Sequence, residues 1–190
     1  MHRKYRNLYQ AHCNIRQIGL ALAMFEGDFG KFPDTDTISK VPNDPADPIP
    51  LGDKTSNDFF RQLIASKNAE TEQMFYAWNP SVTRRPDDRC TGKLALEKGE
   101  CAFAYVAGLS GAADPNTPMV LFPLVQGKKL FDYSLCKDAY AGLAVIWFSD
   151  FRVQQLPVDK SGHVYLNDKD LFDPSQPFWG GKAPDVKWPE

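Results

Sequence analysis

Few side chains in this sequence are suited to acid–base or nucleophilic chemistry. The 190 residues include three histidines, which are His2, His12 and His163. His12 lies next to Cys13, but neighbouring residues on a helix point about 100° apart, so these two cannot act as a base and its nucleophile. We therefore interpret the histidines as solvated or hydrogen-bonded surface side chains.

Ser110 lies between Gly108 and Gly111 in the segment GLSGAAD at 108–114. The nucleophile motif G-x-S-x-G requires glycine where this chain has Ala112, and the Asp-Pro pair that begins at Asp114 prevents the helix that should follow the serine. We predict a turn between two strands here. An enzyme would need a cleft that gathers Ser110, His163 and a buried carboxylate, and nothing in the sequence brings these together, so we expect no enzymatic activity.

Acidic residues in the segment PDTDT are the candidates for cation binding. Asp34 and Asp36 could bind calcium, but the third ligand, central glycine and distal glutamate of an EF-hand loop are missing from this register. We expect these two carboxylates to be solvated turn residues, with calcium as the alternative. No glycine-rich phosphate loop occurs, and we expect no other cofactor.

The four cysteines are Cys13, Cys90, Cys101 and Cys136, and they form no C-x-x-C motif, which argues against a zinc site. Cys90 and Cys101 bound a polar stretch that a disulfide could close into a short loop. Such a bond would stabilise the fold by about 3 kcal/mol and would require an oxidising compartment. The alternative is four buried free thiols.

The charge of the chain is small overall but uneven. Its net value of −2 argues against nucleic acid as a partner, because that binding depends on neutralising phosphates. Residues 1–25 contain no acidic side chain, and the remaining residues hold 18 of the 22 basic and all 24 acidic side chains. The basic residues of the first segment are Arg3, Lys4, Arg6 and Arg16. They form either a solvated helix face or a segment that lies near anionic lipid or an acidic partner.

An apolar seam at alternating spacings of three and four predicts a long helix over residues 3–29. Its members are Leu8, Ala11, Ile15, Ile18, Leu22, Phe25 and Phe29. Such a helix is about 40 Å long, more than a small domain covers. We therefore expect the half before Ile15 to project from the domain, with its seam open to a partner helix. The alternative is a helix that lies along a sheet over its whole length.

The rest of the chain alternates between irregular and regular segments. Prolines make 30–55 a loop, and a short helix follows at 56–66, capped by Ser56 or Asn57. An antiparallel sheet is predicted within 72–158. Its strand-like segments are 72–78, 101–108, 119–125, 142–149 and 152–158, and the last two form a hairpin around Asp150 and Phe151. We expect the tail at 167–190 to be irregular, with Phe178, Trp179 and Trp188 as anchors. The prediction is one α+β domain over residues 1–190.

Three segments resemble the type IV pilin-like proteins, in particular the bacterial pseudopilins of type II secretion. They are CNIRQIGLALAMFEGDFGKFP at 13–33, YVAGLSGAADPNTPMVLFP at 105–123 and AVIWFSDFRVQQLP at 144–157. The first is similar to the end of the family's long helix, the second to a strand, loop and strand, and the third to its closing hairpin. Residues 57–80 fit the same layout.

The resemblance implies a long N-terminal helix packed against a small antiparallel β-sheet, with long proline-rich loops. It also implies a prepilin peptidase site and about 20 apolar residues ahead of the helix, which anchor the protein in the inner membrane. The domain would then lie in the periplasm or at the cell surface. In the family, the helices of neighbouring pilin or pseudopilin subunits pack at the centre of a secreted filament. On this basis we predict a helix-packing interface formed by Leu8, Ala11, Ile15, Ile18 and Leu22.

Two departures from the family pattern stand out. Phe151 replaces the glycine of the closing hairpin, where a tight turn with a positive φ favours glycine. Ala77 stands where many members have a cysteine, which leaves Cys136 as an alternative disulfide partner for Cys13.

Two functions are consistent with these features. The first is a structural subunit of a type IV pilus-like or type II secretion pseudopilus assembly, which packs through its N-terminal helix. The alternative is a surface binding or adhesion protein on the same scaffold, whose loops at 30–55 and 80–100 recognise a host or matrix ligand.

Overall fold

A computed structural model describes residues 3–80, 83–109 and 111–190. The described residues form three α-helices, seven β-strands and four short 3₁₀ turns. The helices are α1 (Arg3–Phe29), α2 (Ser56–Ala65) and α3 (Tyr133–Ala139). The strands are β1 (Ala104–Ala107), β2 (Pro118–Phe122), β3 (Leu143–Phe148), β4 (Val153–Pro157), β5 (Tyr165–Leu166), β6 (Lys169–Asp170) and β7 (Asp185–Lys187). The predicted α+β class and the bounds of the first helix are thus confirmed.

Five strands form one antiparallel sheet in the order β4-β3-β2-β1-β7, and β5 pairs with β6 separately. Side chains alternate across the sheet, as strand geometry requires. Tyr105 and Trp147 face the core shared with α1 and α2, whereas Val106 and Ile146 face a second core. The C-terminal segment covers that second face with Phe172, Phe178, Trp179 and other buried side chains. The sheet is therefore buried on both faces.

The seam of α1 is buried within its own chain. Ile15, Ile18, Leu22 and Ala11 are fully inaccessible to solvent, and Leu8 is 5% exposed. The expectation that the first half of α1 projects is therefore wrong. The reason is that the 3₁₀ turn Gln73–Phe75, α3 and β4 extend the surface on which the helix lies.

Polar contacts hold the first half of α1 in the same place. The side-chain amide of Asn14 donates to the carbonyls of Gln73 and Tyr76 at 2.9 and 2.7 Å, and Lys4 donates to the carbonyl of Lys137 at 2.7 Å. The prediction of a helix-packing interface is therefore corrected. Its side chains stabilise the fold of one molecule and are not accessible to a second molecule; they are Leu8, Ala11, Ile15, Ile18 and Leu22.

The second helix agrees with its prediction apart from its cap. Thr55, and not Ser56 or Asn57, is the N-cap, because its hydroxyl accepts from the N–H of Asp58 while the Asp58 carboxylate accepts from the N–H of Thr55. Residues 30–55 are irregular apart from the 3₁₀ turn Thr35–Thr37, as expected for so many prolines.

Four of the five predicted strands exist. The β3–β4 hairpin turns at the expected position, and Phe151 has the unfavourable φ of +70° that the missing glycine implied. The segment 72–78 is not a strand, because the carbonyls of Gln73 and Tyr76 accept from Asn14 of α1 and the chain turns as a 3₁₀ helix between them.

Four regular elements were not expected from the sequence, namely α3, the short strands β5 and β6, and β7. Helix α3, within the predicted sheet region, is only seven residues long and is capped by the side chain of Asp132. Strand β7 lies in the tail that was predicted to be irregular and pairs with β1 from Ala107 to Tyr105. Phe178 and Trp179 anchor the tail as predicted, each under 10% exposed.

Candidate functional site

The outward face of α1 carries an exposed apolar stripe, which we call the outer stripe. It consists of Tyr5, Tyr9, Leu20 and Met24, whose side chains are 53%, 67%, 56% and 58% exposed. At 3.6 residues per turn these four positions fall within an arc of about 100°, on the side of the helix opposite the buried seam. At 1.5 Å per residue the stripe is about 29 Å long.

Cys13 and Arg16 lie between the two ends of the outer stripe. The half-exposed thiol of Cys13 hydrogen-bonds the phenol of Tyr9, and this contact raises the pKa of Tyr9. His12 beside them has a lowered pKa, because partial burial and the charge of Arg16 disfavour its protonation. Its Nδ1 lies 3.2 Å from the side-chain amide of Gln155.

Charge is segregated along α1. The first half carries Arg3, Lys4, Arg6 and Arg16, and the end of the helix carries Glu26 and Asp28. Arg3 stacks over the Trp78 ring at 4.7 Å, and a pocket of about 430 Å³ opens beside it between Arg6, Tyr9 and Arg85. At the other end of the helix, Glu26 accepts from the backbone N–H of Gly111 and Asp28 accepts from the side-chain amide of Asn68, so the acidic end is engaged within its own domain.

The two histidines within the described residues lie on separate elements and have separate partners. His163 Nδ1 is 2.6 Å from Asp170 Oδ2, so a carboxylate orients this imidazole at the β5–β6 hairpin. His12 lies on α1. Ser110 and His2 lie outside the described residues.

All four cysteines are free thiols. The predicted disulfide between Cys90 and Cys101 is not formed, because Cys101 is buried against the hydroxyl of Ser56 and the carbonyl of Phe103, whereas Cys90 is half-buried near Glu72. Cys136 belongs to the second core and Cys13 lies on α1, and they do not form the alternative bond either.

The calcium candidates Asp34 and Asp36 are both paired with Lys31, at 2.8 and 3.3 Å. Asp34 also caps the 3₁₀ turn Thr35–Thr37. One lysine ammonium is therefore shared between the two carboxylates, and calcium at this position stays a prediction.

The two loops expected to recognise a ligand meet at one pocket of about 410 Å³. Asn43, Asp47 and Ile49 contribute from the first loop, and residues 90–92 contribute from the second. Asn43 fixes the first loop, because its side-chain amide exchanges two 2.9 Å hydrogen bonds with the backbone of Ile49.

A cluster of three carboxylates was not predicted from the sequence. Glu72, Asp87 and Glu100 each place one carboxylate oxygen within 4.8 Å of the others. Glu72 and Glu100 are fully buried. Burial raises the pKa of Glu72, although a 2.6 Å hydrogen bond from the N–H of Leu96 opposes this shift. The three residues lie 13 or more positions apart, so no local motif could have linked them.

The fold and these sites define a helix-on-sheet α+β protein. No known protein family, curated protein or solved structure matches the chain. Within residues 3–80, 83–109 and 111–190, no helix has both the length and the apolar character needed to cross a membrane.

Proposed function

We propose that this chain is the globular part of a pilin-like subunit that assembles into a pilus or pseudopilus through the outer stripe of α1. The observation that carries this proposal is the row of four large apolar side chains, each more than half exposed, along 29 Å or so of one rigid helix. Single exposed apolar residues are normal, whereas the outer stripe consists of two exposed apolar pairs on one face of a helix, with Cys13 and Arg16 between them, and such a grouping is typical of a protein–protein contact.

The arrangement of the domain supports a helical partner. Because α1 is held along its length by the sheet, the 3₁₀ turn Gln73–Phe75 and α3, it is already ordered before it meets a partner, and little conformational entropy is lost on assembly. Leu20 and Met24 are one helical turn apart, as are Tyr5 and Tyr9, and such i, i+4 pairs fill the grooves of a second helix.

The resemblance of three sequence segments to the pilin-like family also supports this assignment. The long helix on an antiparallel sheet agrees with what that resemblance implies. In the full-length subunit, residues ahead of this helix would anchor it in the inner membrane before assembly, and the domain would face the periplasm or cell surface.

The test is the double substitution Leu20→Asp with Met24→Asp, studied by sedimentation velocity over a range of protein concentrations. Burying two such half-exposed side chains contributes about 2 kcal/mol, so we expect self-association to weaken at least about 10-fold. The circular dichroism spectrum should remain the same as that of the unmodified chain, because both side chains point away from the core.

The matched control is Leu94→Asp, which introduces the same charge at an exposed leucine of the 3₁₀ turn Gly92–Leu94. This variant should associate like the unmodified chain. Cross-linking at Cys13, followed by peptide mapping, should report neighbouring outer stripes in the unmodified chain and not in the double variant. Equal association of all three proteins would contradict the proposal.

One observation favours the alternative function of ligand binding. The two loops form the pocket of about 410 Å³ described above, with Asp47 and Lys67 in its lining. A small polar ligand could bind there while α1 holds the subunit in a filament. Protection of Cys90 from alkylation by a candidate ligand would test this second function, because Cys90 also lines the pocket.

A further inference from the structure

Three loop segments bring their carboxylates together beside the first core. Glu72 directly precedes the 3₁₀ turn Gln73–Phe75, Asp87 lies in the loop that follows, and Glu100 precedes β1. Backbone N–H groups hold two of them in place, since Asp87 and Glu97 donate to the two oxygens of Glu100 at 3.2 and 2.8 Å and Leu96 donates to Glu72. The carboxylates are therefore positioned by the fold and do not simply lie on a flexible surface.

Glu72 carries the strongest indication of a missing partner. Its side chain is fully buried, and Oε1 accepts from the N–H of Leu96 at 2.6 Å. Its other oxygen, Oε2, has no hydrogen-bond partner among the described residues. A buried carboxylate oxygen without a partner is costly, and a cation or a donor at that position would remove the cost.

The charges around the cluster also point to a cation. Arg84 lies 2.9 Å from Glu100 and Arg89 lies 3.5 Å from Asp87, so two of the three negative charges have an arginine partner. Glu72 has no ion-pair partner among the described residues, and Asp88 lies close by, with its carboxylate accepting from the N–H of Glu72 at 2.7 Å. Glu72 and Asp88 together carry two negative charges, which one divalent ion would offset.

We propose that Glu72, Asp87 and Glu100 bind a divalent cation with a preference for oxygen ligands, and that this ion is Ca²⁺. Ca²⁺ binds about six to eight oxygen ligands at about 2.3–2.6 Å in flexible geometry, whereas Mg²⁺ at about 2.0–2.1 Å needs near-ideal octahedral geometry and usually keeps several of its waters. The cluster supplies three carboxylates from separate loops, with oxygens within 4.8 Å of one another, and this arrangement suits the ion with the more flexible coordination. Asp87 is exposed, which leaves an open side for water ligands.

The ion would join three segments of a region that has little regular structure. Between α2 and β1 the described residues contain only two 3₁₀ turns, so loop contacts and ion pairs hold this region. Binding to the folded state alone raises stability in proportion to the logarithm of the free ion concentration. No residue of the outer stripe belongs to this cluster, so failure of the calcium proposal would leave the assembly proposal untouched.

The experiment compares thermal unfolding of the whole chain in EDTA and in CaCl₂. At a Ca²⁺ concentration about 100 times the dissociation constant, we expect the midpoint to rise by about 5–10 °C. Isothermal titration with CaCl₂ should show one ion per chain. The same titration with MgCl₂ should show weaker binding.

Glu72→Gln is the main variant, because the amide keeps the oxygen that accepts from Leu96 and removes the charge. Asp87→Asn is the second, because this residue is exposed and its substitution leaves the core intact. Each should weaken Ca²⁺ binding at least 10-fold and abolish most of the thermal shift. The matched control is Asp36→Asn, which removes an exposed carboxylate paired with Lys31 and should keep the full shift.

Two results would overturn the proposal. If CaCl₂ does not shift the unfolding midpoint of the unmodified chain, the negative charge of the cluster is offset by protonation and by Arg84 and Arg89, and not by a metal. If the shift persists in both Glu72→Gln and Asp87→Asn, the ion binds elsewhere.

Discussion

Among single residues, the thiols differ most in their surroundings. Cys101 and Cys136 are buried in the two cores on opposite faces of the sheet, and burial raises the pKa of each to about 12. Burial, helped by the charges of Glu72 and Asp88, raises the pKa of Cys90 to about 11. Since the thiolate is the reactive form, these three residues should be poor nucleophiles at neutral pH.

We predict that iodoacetamide at pH 8 modifies Cys13 first, Cys90 more slowly, and Cys101 and Cys136 only when the protein unfolds. Peptide mapping by mass spectrometry over a time course provides the measurement, and the same reaction in denaturant serves as the control. Rapid labelling of Cys101 in the native protein would contradict its position in the core.

At the scale of the elements, the docking of α1 on β3 depends on one glycine. A Cβ atom built on Gly19 would overlap the indole ring of Trp147, which is itself buried in the core. Gly27, further along the same helix, has nothing within 4 Å of its Cβ position. The same substitution should therefore have opposite effects at the two sites.

Gly19→Ala should destabilise the fold by about 1–3 kcal/mol, because the overlap outweighs the gain in helix propensity of about 1 kcal/mol. Gly27→Ala should stabilise it by up to about 1 kcal/mol. Urea unfolding followed by circular dichroism measures both values. A stabilising Gly19→Ala would show that α1 does not approach β3 as closely as described.

At the scale of the whole molecule, the C-terminal strand closes the structure. Strand β7 covers the edge of β1, and Val186 is buried in the second core. The carbonyl of Trp188 accepts from the N–H of Ser56 at 2.9 Å, and Glu190 pairs with Arg61 at 2.6 Å. The tail thus joins the sheet edge to the start of α2.

Deletion of residues 185–190 should lower the free energy of unfolding by about 3–5 kcal/mol, since it removes a buried valine, a strand pairing and the partner of a buried arginine. The urea midpoint measures this loss. Glu190→Gln is the control and should cost about 1 kcal/mol or less, because its carboxylate is a third exposed. A deletion that costs no more than this control would mean that β7 contributes little.

How much of the fold and of the candidate site could be predicted from the sequence depends on how close together in the chain the residues of each pattern are. The seam from Leu8 to Leu22 predicted a helix correctly, because side chains three and four positions apart share one face. The same pattern does not specify what packs on that face. In the structure, a turn, a helix and a strand of the same chain pack on it.

The sequence by itself determined the long α1, the loop at 30–55, α2, four strands of the sheet and the strained turn at Phe151, since propensity, capping and periodicity act over a few residues. The tertiary structure alone decided that the seam is buried, that the outer stripe is exposed and that β7 joins β1. It also decided that Glu72, Asp87 and Glu100 meet. These features depend on contacts between residues far apart in the chain, which no local pattern encodes.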